Sequence, residues 1–518
     1  MKFHRISLSI LLLCAMVLAS CTAQQNAGET ASSSAEITLE WFCRNYDSNL
    51  ISSYDEVAAY QKIQENTGVD IHFTHYTSEE QFRLLLSSGQ YPDLIEGDWN
   101  SVSGGAKSAI DKNIIIKLND YIAQSAPNLS RIFQEFPDIL EEILLYDGTI
   151  AYFPSIKSDP TINAYLGPMI RAEWLETLGL EPPQTIDEWT AVLRAFQTQD
   201  PNGNGLQDEI PFSIEKSGSL SLLASAFGVG PETVYLNSEG KAIFGPMEQG
   251  YRQFLETLHM WYVEGLLDCD YLLMDRTDLN RKVSQDVVGA CIGYLGSQMP
   301  LYYSYQTGRG ENMEYIGVPW PRAADGLIYN PLNINQKVDE LGVAVTTTNK
   351  YPEKTIAFLD YLYSEEVTDL LNWGIEGVTY VNENGQKTFT DLILNNPDGL
   401  DAISAITPYA LTIRGGTKIM LSEPYRQLNN HLPCQQNAAE LWTMGDVYFD
   451  QPRRNFSPAD LNRYNQILSL VMPYCQEMTA KFILGVESLD NFQDYLDSLA
   501  KMGIYEALSI AETYAAVG

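Results

Sequence analysis

The chain has 518 residues, with 67 Asp and Glu against 32 Lys and Arg and a formal net charge of −35. This acidic balance repels nucleic acid and anionic lipid, so the sequence predicts no nucleic-acid partner. Its length exceeds that of one typical domain and predicts two or three lobes.

The N-terminus predicts a bacterial lipoprotein signal. Two basic residues precede an apolar stretch at 6–18, which is too short to span a membrane and has the length of a signal-peptide core. The following Leu18-Ala19-Ser20-Cys21 resembles a lipobox, in which the Cys is lipidated after cleavage. We therefore predict a signal peptide over 1–20, a lipid anchor on Cys21 and a flexible tether over 21–35. An ordinary secretory signal that ends near a Cys is the alternative.

The next sixty residues alternate between strand and helix patterns. The predicted order is strand 36–43, helix 55–65 ended by Gly68, strand 69–73, a helix with a capping box in Thr77 and Glu80, and strand 93–96. This order is typical of a parallel sheet with helices on its faces. Ligands of such sheets bind at the carboxyl ends of the strands, where polar and aromatic side chains follow the first and third strands.

Residues 200–209 space oxygen donors as a calcium-binding loop does. Asp200, Asn202, Asn204, the carbonyl of Leu206 and Asp208 take alternate loop positions, and Gly205 lies at the turn. The Glu that ends an EF-hand loop is absent, because its position is Pro211, so Glu209 is the nearest substitute. The alternative is an Asn/Gly-rich turn without a metal. A helix with a capping box in Thr185 and Glu188 leads into the loop.

The α/β pattern returns later in the chain. We predict strands at 289–294 and 341–345, a helix after Pro352, and one or two amphipathic helices in the last thirty residues. The cysteines after Cys21 are scattered and form no disulfide framework, although a Cys434 to Cys475 bridge stays open.

No catalytic motif emerges from the sequence. The five histidines form no metal pair, and the chain has no G-x-S-x-G, H-E-x-x-H or P-loop motif. A carboxylate pair of a glycoside hydrolase stays open as an alternative, since no local pattern selects one. We predict a protein that is not an enzyme.

Several segments together resemble one known family. They are Ser88-Gly89-Gln90-Tyr91-Pro92-Asp93, Asp147-Gly148-Thr149-Ile150-Ala151-Tyr152-Phe153-Pro154, Arg171-Ala172-Glu173-Trp174-Leu175, the loop 200–211, Gly374-Ile375-Glu376-Gly377 and Met502-Gly503-Ile504. In this order they resemble the extracellular solute-binding lipoproteins of bacterial ABC importers, in the subgroup similar to family 1 sugar binders, LipO-type lipoproteins and alginate-binding proteins.

The resemblance implies an α/β fold of two lobes, the type 2 periplasmic-binding-protein fold, with a hinge and a helical C-terminal extension. Lobe one is expected at 36–156 plus 330–370, and lobe two at 157–329 plus 371–518. By the same resemblance, a structural calcium ion is expected in lobe two. Its implied ligands are Asp200, Asn202, Asn204, Leu206, Asp208 and Glu209.

The composition supplies aromatic surface with polar groups, since there are 8 Trp and 31 Tyr against 18 Phe. A sugar cleft needs aromatic platforms together with carboxylates, amides and Arg. The predicted ligand-binding residues are Arg44, Asn45, Tyr46, Glu96, Trp99, Arg171, Tyr294, Trp373, Glu376 and Tyr380. Core packing is the alternative for the aromatic residues, and a salt bridge is the alternative for the two arginines.

The sequence therefore predicts a lipid-anchored monomer on the extracellular face of the bacterial cytoplasmic membrane. It would capture an oligosaccharide, close its lobes and deliver the sugar to the permease of an ABC importer. Three alternatives stay open: a lipoprotein that senses a ligand for a membrane sensor kinase, a binder of peptides or other solutes, and a surface glycoside hydrolase or lyase.

Overall fold

The computed structural model describes residues 37–46, 48–216, 219–237, 239–412, 417–453 and 455–515. The predicted signal peptide, the lipid anchor at Cys21 and the tether lie outside the described residues. Within these ranges, no helix combines the length and the apolar character needed to cross a bilayer.

Two separate sheets organise the molecule. The strands are β1 Ile37–Arg44, β2 Val69–Tyr76, β3 Leu94–Gly97, β4 Phe153–Lys157, β5 Leu166–Arg171, β6 Ile210–Ser213, β7 Val234–Leu236, β8 Ala242–Phe244, β9 Val288–Tyr294, β10 Tyr315–Gly317, β11 Tyr329–Asn330, β12 Val338–Val345, β13 Tyr380–Glu383, β14 Gln386–Phe389, β15 Ile419–Met420 and β16 Val447–Tyr448. The larger sheet has six strands in the order β15-β4-β12-β3-β1-β2, and the second has four in the order β10-β5-β9-β6; the remaining strands form the two-stranded pairs β7-β8, β11-β16 and β13-β14. We call the body around the first sheet lobe one and the body around the second lobe two.

Helices cover both sheets. They are α1 Ala58–Thr67, α2 Glu79–Ser88, α3 Gly105–Asp111, α4 Asn119–Ser125, α5 Pro127–Glu135, α6 Pro137–Ile143, α7 Ala172–Leu178, α8 Ile186–Thr198, α9 Gln249–Glu264, α10 Arg276–Ser284, α11 Gln298–Tyr303, α12 Pro352–Tyr361, α13 Glu365–Trp373, α14 Asp391–Leu394, α15 Ala402–Ile406, α16 Ser422–Asn429, α17 Pro433–Thr443, α18 Pro458–Leu484, α19 Phe492–Met502 and α20 Ile504–Ala515. The predicted two-lobe α/β fold is confirmed.

The sheet of lobe one begins as the sequence predicts. β1 alternates buried and exposed residues before it becomes fully buried, as expected of a strand that has neighbours on both sides. It pairs in parallel with β2 from Ile37 to Arg44 and in parallel with β3 at Trp41 and Phe42. The carboxyl ends of the three strands therefore lie along one edge, as the parallel-sheet hypothesis requires. β12 then adds to β3 in the antiparallel direction.

The helix ends show where local signals succeed and where one fails. Gly68 ends α1 in the left-handed conformation at φ 68°, and Thr185 with Glu188 forms the predicted capping box of α8. The box predicted in Thr77 and Glu80 is wrong by one residue, because Ser78 and Gln81 form it. The reason is that Ser78 has the extended backbone of an N-cap, with α2 starting at Glu79.

Lobe two holds the larger core. Its sheet, α8, α9 and the C-terminal helices α18 to α20 enclose one apolar cluster that includes Trp174, Trp189, Trp261 and Trp442. α18 packs on α9 and on α20, so the predicted helical C-terminal extension belongs to this core.

The chain passes between the sheets at 158–165, at 331–337 and after β15. β15 at 419–420 pairs in parallel with β4 of lobe one, and Leu411 belongs to the core of that lobe. The sequence analysis expects lobe one to end at residue 370. In the structure the chain returns to the lobe-one sheet after that point, because the two-residue strand β15 pairs with β4. Only after α16 does the chain return to lobe two, where α17 packs on β10.

The five cysteines of the described ranges are free thiols. Cys434 and Cys475 both lie in the core of lobe two, but they do not form the bridge that the sequence left open. Burial of such thiols is ordinary packing, because a free cysteine behaves as a small apolar residue.

Candidate functional site

A cavity of about 460 Å³ lies between the two lobes. Lobe one contributes Asp98, Asn100 and Tyr152, which follow β3 or precede β4. Lobe two contributes Asp450 and Arg453, in the segment that leads to α18. The cavity therefore opens at the carboxyl end of β3, the edge at which the parallel-sheet argument places a ligand.

A second cavity of about 300 Å³ adjoins the first. The two share the wall residues Asn333, Gln336, Asp339 and Glu340, which belong to the second passage between the lobes and the start of β12. A movement of the lobes about this passage would therefore change the shape of both cavities.

Tyr165 provides an aromatic surface at the second cavity. Its side chain is 47% exposed, and its ring stacks on that of Tyr294 with 6.2 Å between centroids and 20° between planes. The guanidinium of Arg276 lies 4.2 Å from the centroid of the Tyr294 ring and is paired with Glu215 at 3.2 Å between Nε and Oε2. Such an exposed, supported ring matches the flat C–H face of a sugar.

The pairing between β5 and β9 positions the stacked rings of Tyr165 and Tyr294. Leu166 lies opposite Tyr294 where β5 begins and β9 ends, so Tyr165 and Tyr294 meet at the edge of the lobe-two sheet that faces the passages. Burial raises the pKa of the Tyr165 phenol, and the nearby Tyr294, Glu340 and Asp339 raise it further. The phenol hydroxyl thus stays protonated and can serve as a hydrogen-bond donor.

Hydrogen bonds fix the second passage. The side-chain amide of Asn163 donates to the carbonyls of Ile334 and Gln336 at 2.9 and 2.8 Å. From lobe one, Glu142 accepts from the backbone N–H of Val338 at 2.9 Å, and burial raises the pKa of this carboxyl. The wall of the cleft is therefore held in place from both lobes.

Sequence reasoning missed these wall residues. Asn330, Asn333 and Asn335 alternate with apolar residues just before β12. Buried Asn330 donates to the carbonyl of Trp442 at 2.8 Å, whereas Asn333 and Asn335 line the cavity. The sequence did contain a signal for these wall residues. Several amide side chains occur in one segment that joins the two predicted lobes, and polar residues of such connecting segments often bind ligands.

Three of the predicted ligand residues cluster at the end of β1. Arg44 pairs with Glu79 at 3.3 Å between Nη1 and Oε1, and its guanidinium lies 4.8 Å from the centroid of the Tyr46 ring. The side chain of Asn45 donates to the carbonyl of Ile51 at 3.0 Å. Glu96, at the end of β3, is buried beside this group, and burial together with Glu96 raises the pKa of the Tyr76 phenol.

Three others are interior residues. Trp99 is 1% exposed and donates from Nε1 to the carbonyl of Gly342 at 2.9 Å. Trp373 is 3% exposed and packs against Tyr380 and Phe389, with ring centroids 5.7 and 4.9 Å apart. Their environment is that of core residues, and buried Tyr380 belongs to the same small cluster as Trp373. Glu376 is exposed on the neighbouring turn.

Arg171 is also wholly buried, at the end of β5 remote from the cleft. Its guanidinium donates to Glu173 at 2.7 Å and to Asp286 at 2.8 Å, and it lies over the ring of Trp174. This is the salt bridge that the sequence kept as the alternative. None of the ten predicted residues lines the two cavities described above, and Tyr294 is connected to the smaller one through its stacking on Tyr165.

The loop 200–209 folds around its own acidic side chains. Asp200, at φ 46°, accepts from the backbone N–H groups of Asn204 and Gly205, each at 3.0 Å. The side-chain amide of Asn204 donates to Asp208 at 3.0 Å. A left-handed Asp is uncommon and is retained here by bonds to its side chain.

The environment of the Glu209 carboxylate indicates whether the loop fits a cation. Both of its carboxylate oxygens are buried and meet no donor with full hydrogen-bond geometry among the described residues. Lost hydration raises the pKa of Glu209, the charges of Asp208 and Asp200 add to this, and nearby backbone N–H groups oppose it only in part. A buried carboxylate beside two others is costly without a positive partner, so the donor set fits a hard cation.

A second acidic group has its positive partner in the protein. Asp268, Cys269 and Asp270 lie close enough together to hold a metal ion. Lys282, however, donates from Nζ to both oxygens of Asp268 at 2.9 Å and to Asp270 at 3.2 Å. The ammonium group already satisfies these carboxylates.

Comparison with known proteins gives a consistent set of relatives. The chain is 27% identical to the fructooligosaccharide ABC transporter substrate-binding protein FusA of Streptococcus pneumoniae, with 99% of this chain and 98% of that protein covered. It is 22% identical to lipoprotein LipO and 23% identical to the polygalacturonan/rhamnogalacturonan-binding protein YtcQ, both of Bacillus subtilis, over about three quarters of each chain. No family model matches the sequence.

Solved structures share the fold. A FusA EF-hand mutant in complex with fructo-nystose superposes with a TM-score of 0.73 at 23% identity, covering 92% of this chain and 98% of that one. The alginate-binding protein AlgQ2 without calcium ion superposes with a TM-score of 0.72 over the same shares at 23% identity. The two-lobe fold is thus shared with these structures, and the curated relatives agree with the resemblance to the extracellular solute-binding proteins of bacterial ABC transporters.

Proposed function

We propose that this protein captures an oligosaccharide in the cleft between its lobes and delivers it to the permease of an ABC importer. The observation that carries the proposal is the exposed Tyr165 ring, supported by Tyr294, beside a cavity lined with carboxylates and amides. Sugars are recognised by this combination of a stacking surface and hydrogen-bonding groups. The predicted lipid anchor on Cys21 would hold the receptor, as a monomer, on the extracellular face of the membrane.

The relatives guide the choice of ligand. FusA is named for fructooligosaccharides, whereas AlgQ2 and YtcQ are named for acidic polysaccharides. FusA matches nearly the whole chain, so kestose and nystose are the first ligands to test.

Binding and release, without covalent chemistry, account for this function. A ligand that touches both lobes stabilises the closed state, because it has more contacts there than in the open state. Asp98 of lobe one and Asp450 of lobe two face the same cavity, so one oligosaccharide can contact both lobes. The passage at 331–337 provides the hinge.

We also propose a structural calcium ion in the loop of lobe two. Asp200, Asn202, Asn204, Asp208 and Glu209, together with the carbonyl of Leu206, would hold it. When bound, the ion supplies the positive charge that the Glu209 carboxylate lacks. The loop is anchored by Asn202, whose side chain donates to the carbonyl of Asp286 at 3.0 Å.

We also propose limits for the two lobes, in which the pairing of β15 with β4 adds a later segment to lobe one. We assign 36–156 and 330–370, with the segment that leads to β15, to lobe one. The remainder from 157–329 and from α17 onward is assigned to lobe two.

Calorimetric titration with kestose and nystose tests the function. We expect saturable binding and a compaction in small-angle scattering. Tyr165→Ala should weaken binding about tenfold, the effect of losing one stacking contact worth about 1.4 kcal/mol. Tyr505→Ala is the matched control, since Tyr505 is 61% exposed on α20 and lines neither cavity. Absence of binding across a panel of neutral and acidic oligosaccharides would refute the proposal.

A deletion strain separates import from sensing. If the protein feeds an importer, cells that lack it lose uptake of the labelled oligosaccharide even when the permease is expressed from a constitutive promoter. Uptake that persists under constitutive expression would instead support the sensing alternative.

A further inference from the structure

An arginine at the start of α10 supports the aromatic surface at the smaller cavity. We infer that Arg276 positions the ring of Tyr165 for ligand binding, by holding the ring of Tyr294 on which Tyr165 stacks. This inference rests on the proposed function, since Tyr165 is the surface on which the sugar would stack.

Two strands and a helix bring the supporting side chains together. β6 pairs in parallel with β9, so Glu215, shortly after β6, and Tyr294, at the end of β9, lie at the same edge of the lobe-two sheet. The backbone N–H of Lys216 donates to the carbonyl of Met274 at 2.7 Å. This bond places the start of α10, and with it Arg276, beside that edge.

A nearly buried carboxylate fixes the guanidinium on the Tyr294 ring. Nε and Nη2 of Arg276 donate to the two carboxylate oxygens of Glu215 at 3.2 and 3.3 Å. The side chain of Glu215 is 5% exposed, whereas that of Arg276 is 47% exposed. A guanidinium held by two such bonds has little freedom to leave the face of the ring, to which its charge is attracted.

The backbone beneath the two rings is held by other groups. The N–H of Tyr294 donates to Oε1 of Gln298 at 2.9 Å, and the N–H of Leu295 donates to the carbonyl of Tyr165 at 2.9 Å. Loss of Arg276 should therefore leave β5 and β9 paired. Its effect should fall on the ring of Tyr294 and, through the stacking contact, on the exposed ring of Tyr165.

The fixed ring matters for affinity because binding orders the side chains that it uses. A sugar that stacks on a ring already held in place restricts that side chain little further. A ring that has lost its support must be ordered by the ligand, and this loss of conformational freedom weakens binding. Arg276 thus contributes to affinity through Tyr294 and Tyr165.

A double-mutant cycle tests the inference, with kestose or nystose, whichever binds in the titration above, as the probe. Arg276→Ala should weaken binding about fivefold in the parent protein and less than twofold when Tyr165 is already replaced by Ala. Arg276→Lys keeps a cation near the ring and should bind within about twofold of the parent. A role in stability alone would lower the melting temperature without this dependence on Tyr165.

Two results would overturn the inference while the proposed function stands. An unchanged affinity in Arg276→Ala would show that the guanidinium does not support the stacking surface. Equal losses in the parent and in the Tyr165→Ala protein would show that Arg276 acts independently of Tyr165. If neither oligosaccharide binds the parent protein, the failure belongs to the proposed function and is recognised before the variants are compared.

Arg281→Ala is the matched control on the same helix. Arg281 pairs with Asp278 at 3.1 Å, both side chains are exposed, and neither is among the described residues that line the two cavities. This variant should keep the affinity of the parent. Scanning fluorimetry shows which variants are folded at the temperature of the titration. If Arg276→Ala is not folded, Arg276→Gln takes its place in the cycle, because Gln can still donate one hydrogen bond to Glu215 but carries no charge.

Discussion

Arg171 and Asp286 join the end of β5 to the calcium-like loop. The guanidinium donates to Oδ1 of Asp286 at 2.8 Å, and the backbone carbonyl of Asp286 accepts from the side chain of Asn202 in the loop. Asp286 itself has φ 65°, and its Oδ2 accepts from the N–H of Gly308. Thus one residue with a left-handed backbone connects the strand, the loop and a neighbouring turn.

Arg171→Ala should destabilise lobe two. Removing the arginine leaves Glu173 and Asp286 near each other without their positive partner, and losing one member of a buried ion pair costs about 3–5 kcal/mol. Urea unfolding monitored by tryptophan fluorescence measures the change. Arg194→Ala is the control, because the Arg194 pair with Glu264 is exposed and should contribute little. Equal losses in both variants would argue against a special role for the buried pair.

Glu209→Gln should affect the calcium-loaded and calcium-free protein in opposite directions. In the loaded protein the variant removes a ligand charge and lowers the melting temperature. In the chelated protein it removes a buried carboxylate that repels Asp200 and Asp208, so the variant should be more stable than the parent.

Differential scanning fluorimetry with calcium and with chelator measures both effects. Calcium at a hundred times its Kd should add about 2.7 kcal/mol to the parent. Asp200→Ala with Asn204→Ala should abolish the sensitivity to chelator. A parent protein whose melting temperature ignores chelator would count against the calcium site.

We expect the stability of the protein to depend on pH through the buried carboxyl of Glu232. It lies between α9 and α18, where it accepts from Tyr251 at 2.8 Å and from Thr479 at 3.0 Å. Burial raises its pKa despite these two donors. Because the folded-state pKa exceeds the unfolded one, the protonated carboxyl favours folding at low pH, and this contribution is lost as pH rises through the folded-state value.

Glu232→Gln removes that loss. The free energy of unfolding of the variant should rise relative to that of the parent as pH increases from 5 to 8. Urea unfolding at each pH measures both free energies, and their difference reports the titration of Glu232. The exposed Glu181→Gln is the control and should run parallel to the parent. If the Glu232→Gln curve is also parallel to the parent, the raised pKa does not influence folding.

Asn462 joins the lobes away from the cavity wall. Its Oδ1 accepts from the N–H of Gly104 at 2.8 Å and from Ser103 at 3.1 Å, which connects α18 to the start of α3. A β-carbon on Gly104 would lie 2.7 Å from that of Ser108 and 3.2 Å from that of Pro458, so a glycine permits this close approach.

Asn462→Ala should favour the open form. We expect a larger radius of gyration and about fivefold weaker ligand binding, since the two hydrogen bonds at this partly exposed contact together contribute about 1 kcal/mol. Gln466→Ala, one turn further along α18, is the control, because the side-chain hydrogen bond of Gln466 among the described residues is to Arg463 in its own helix. An unchanged radius and unchanged affinity would show that this contact does not control closure.

The sequence alone determined what depends on neighbours along the chain. Periodicity located β1, β2 and β3, Gly68 ended α1, and Thr185 with Glu188 began α8, because each signal acts within a few residues. The spacing of oxygen donors at 200–209 predicted a calcium loop, and in the structure the N–H groups of this turn donate to Asp200, whereas the ion itself stays a prediction. Motif order supplied the resemblance to solute-binding proteins, which implied the two-lobe fold.

Only the tertiary structure decided which side chains face the cleft. Trp99 points inward because β3 lies between β1 and β12, and Arg171 is buried because Asp286 and Glu173 meet it at the end of β5. Asn333 and Asp98 share one cavity although they are far apart in the chain. Strand partners and passages between lobes bring such residues together, and these long-range pairings leave no periodic pattern in the local sequence.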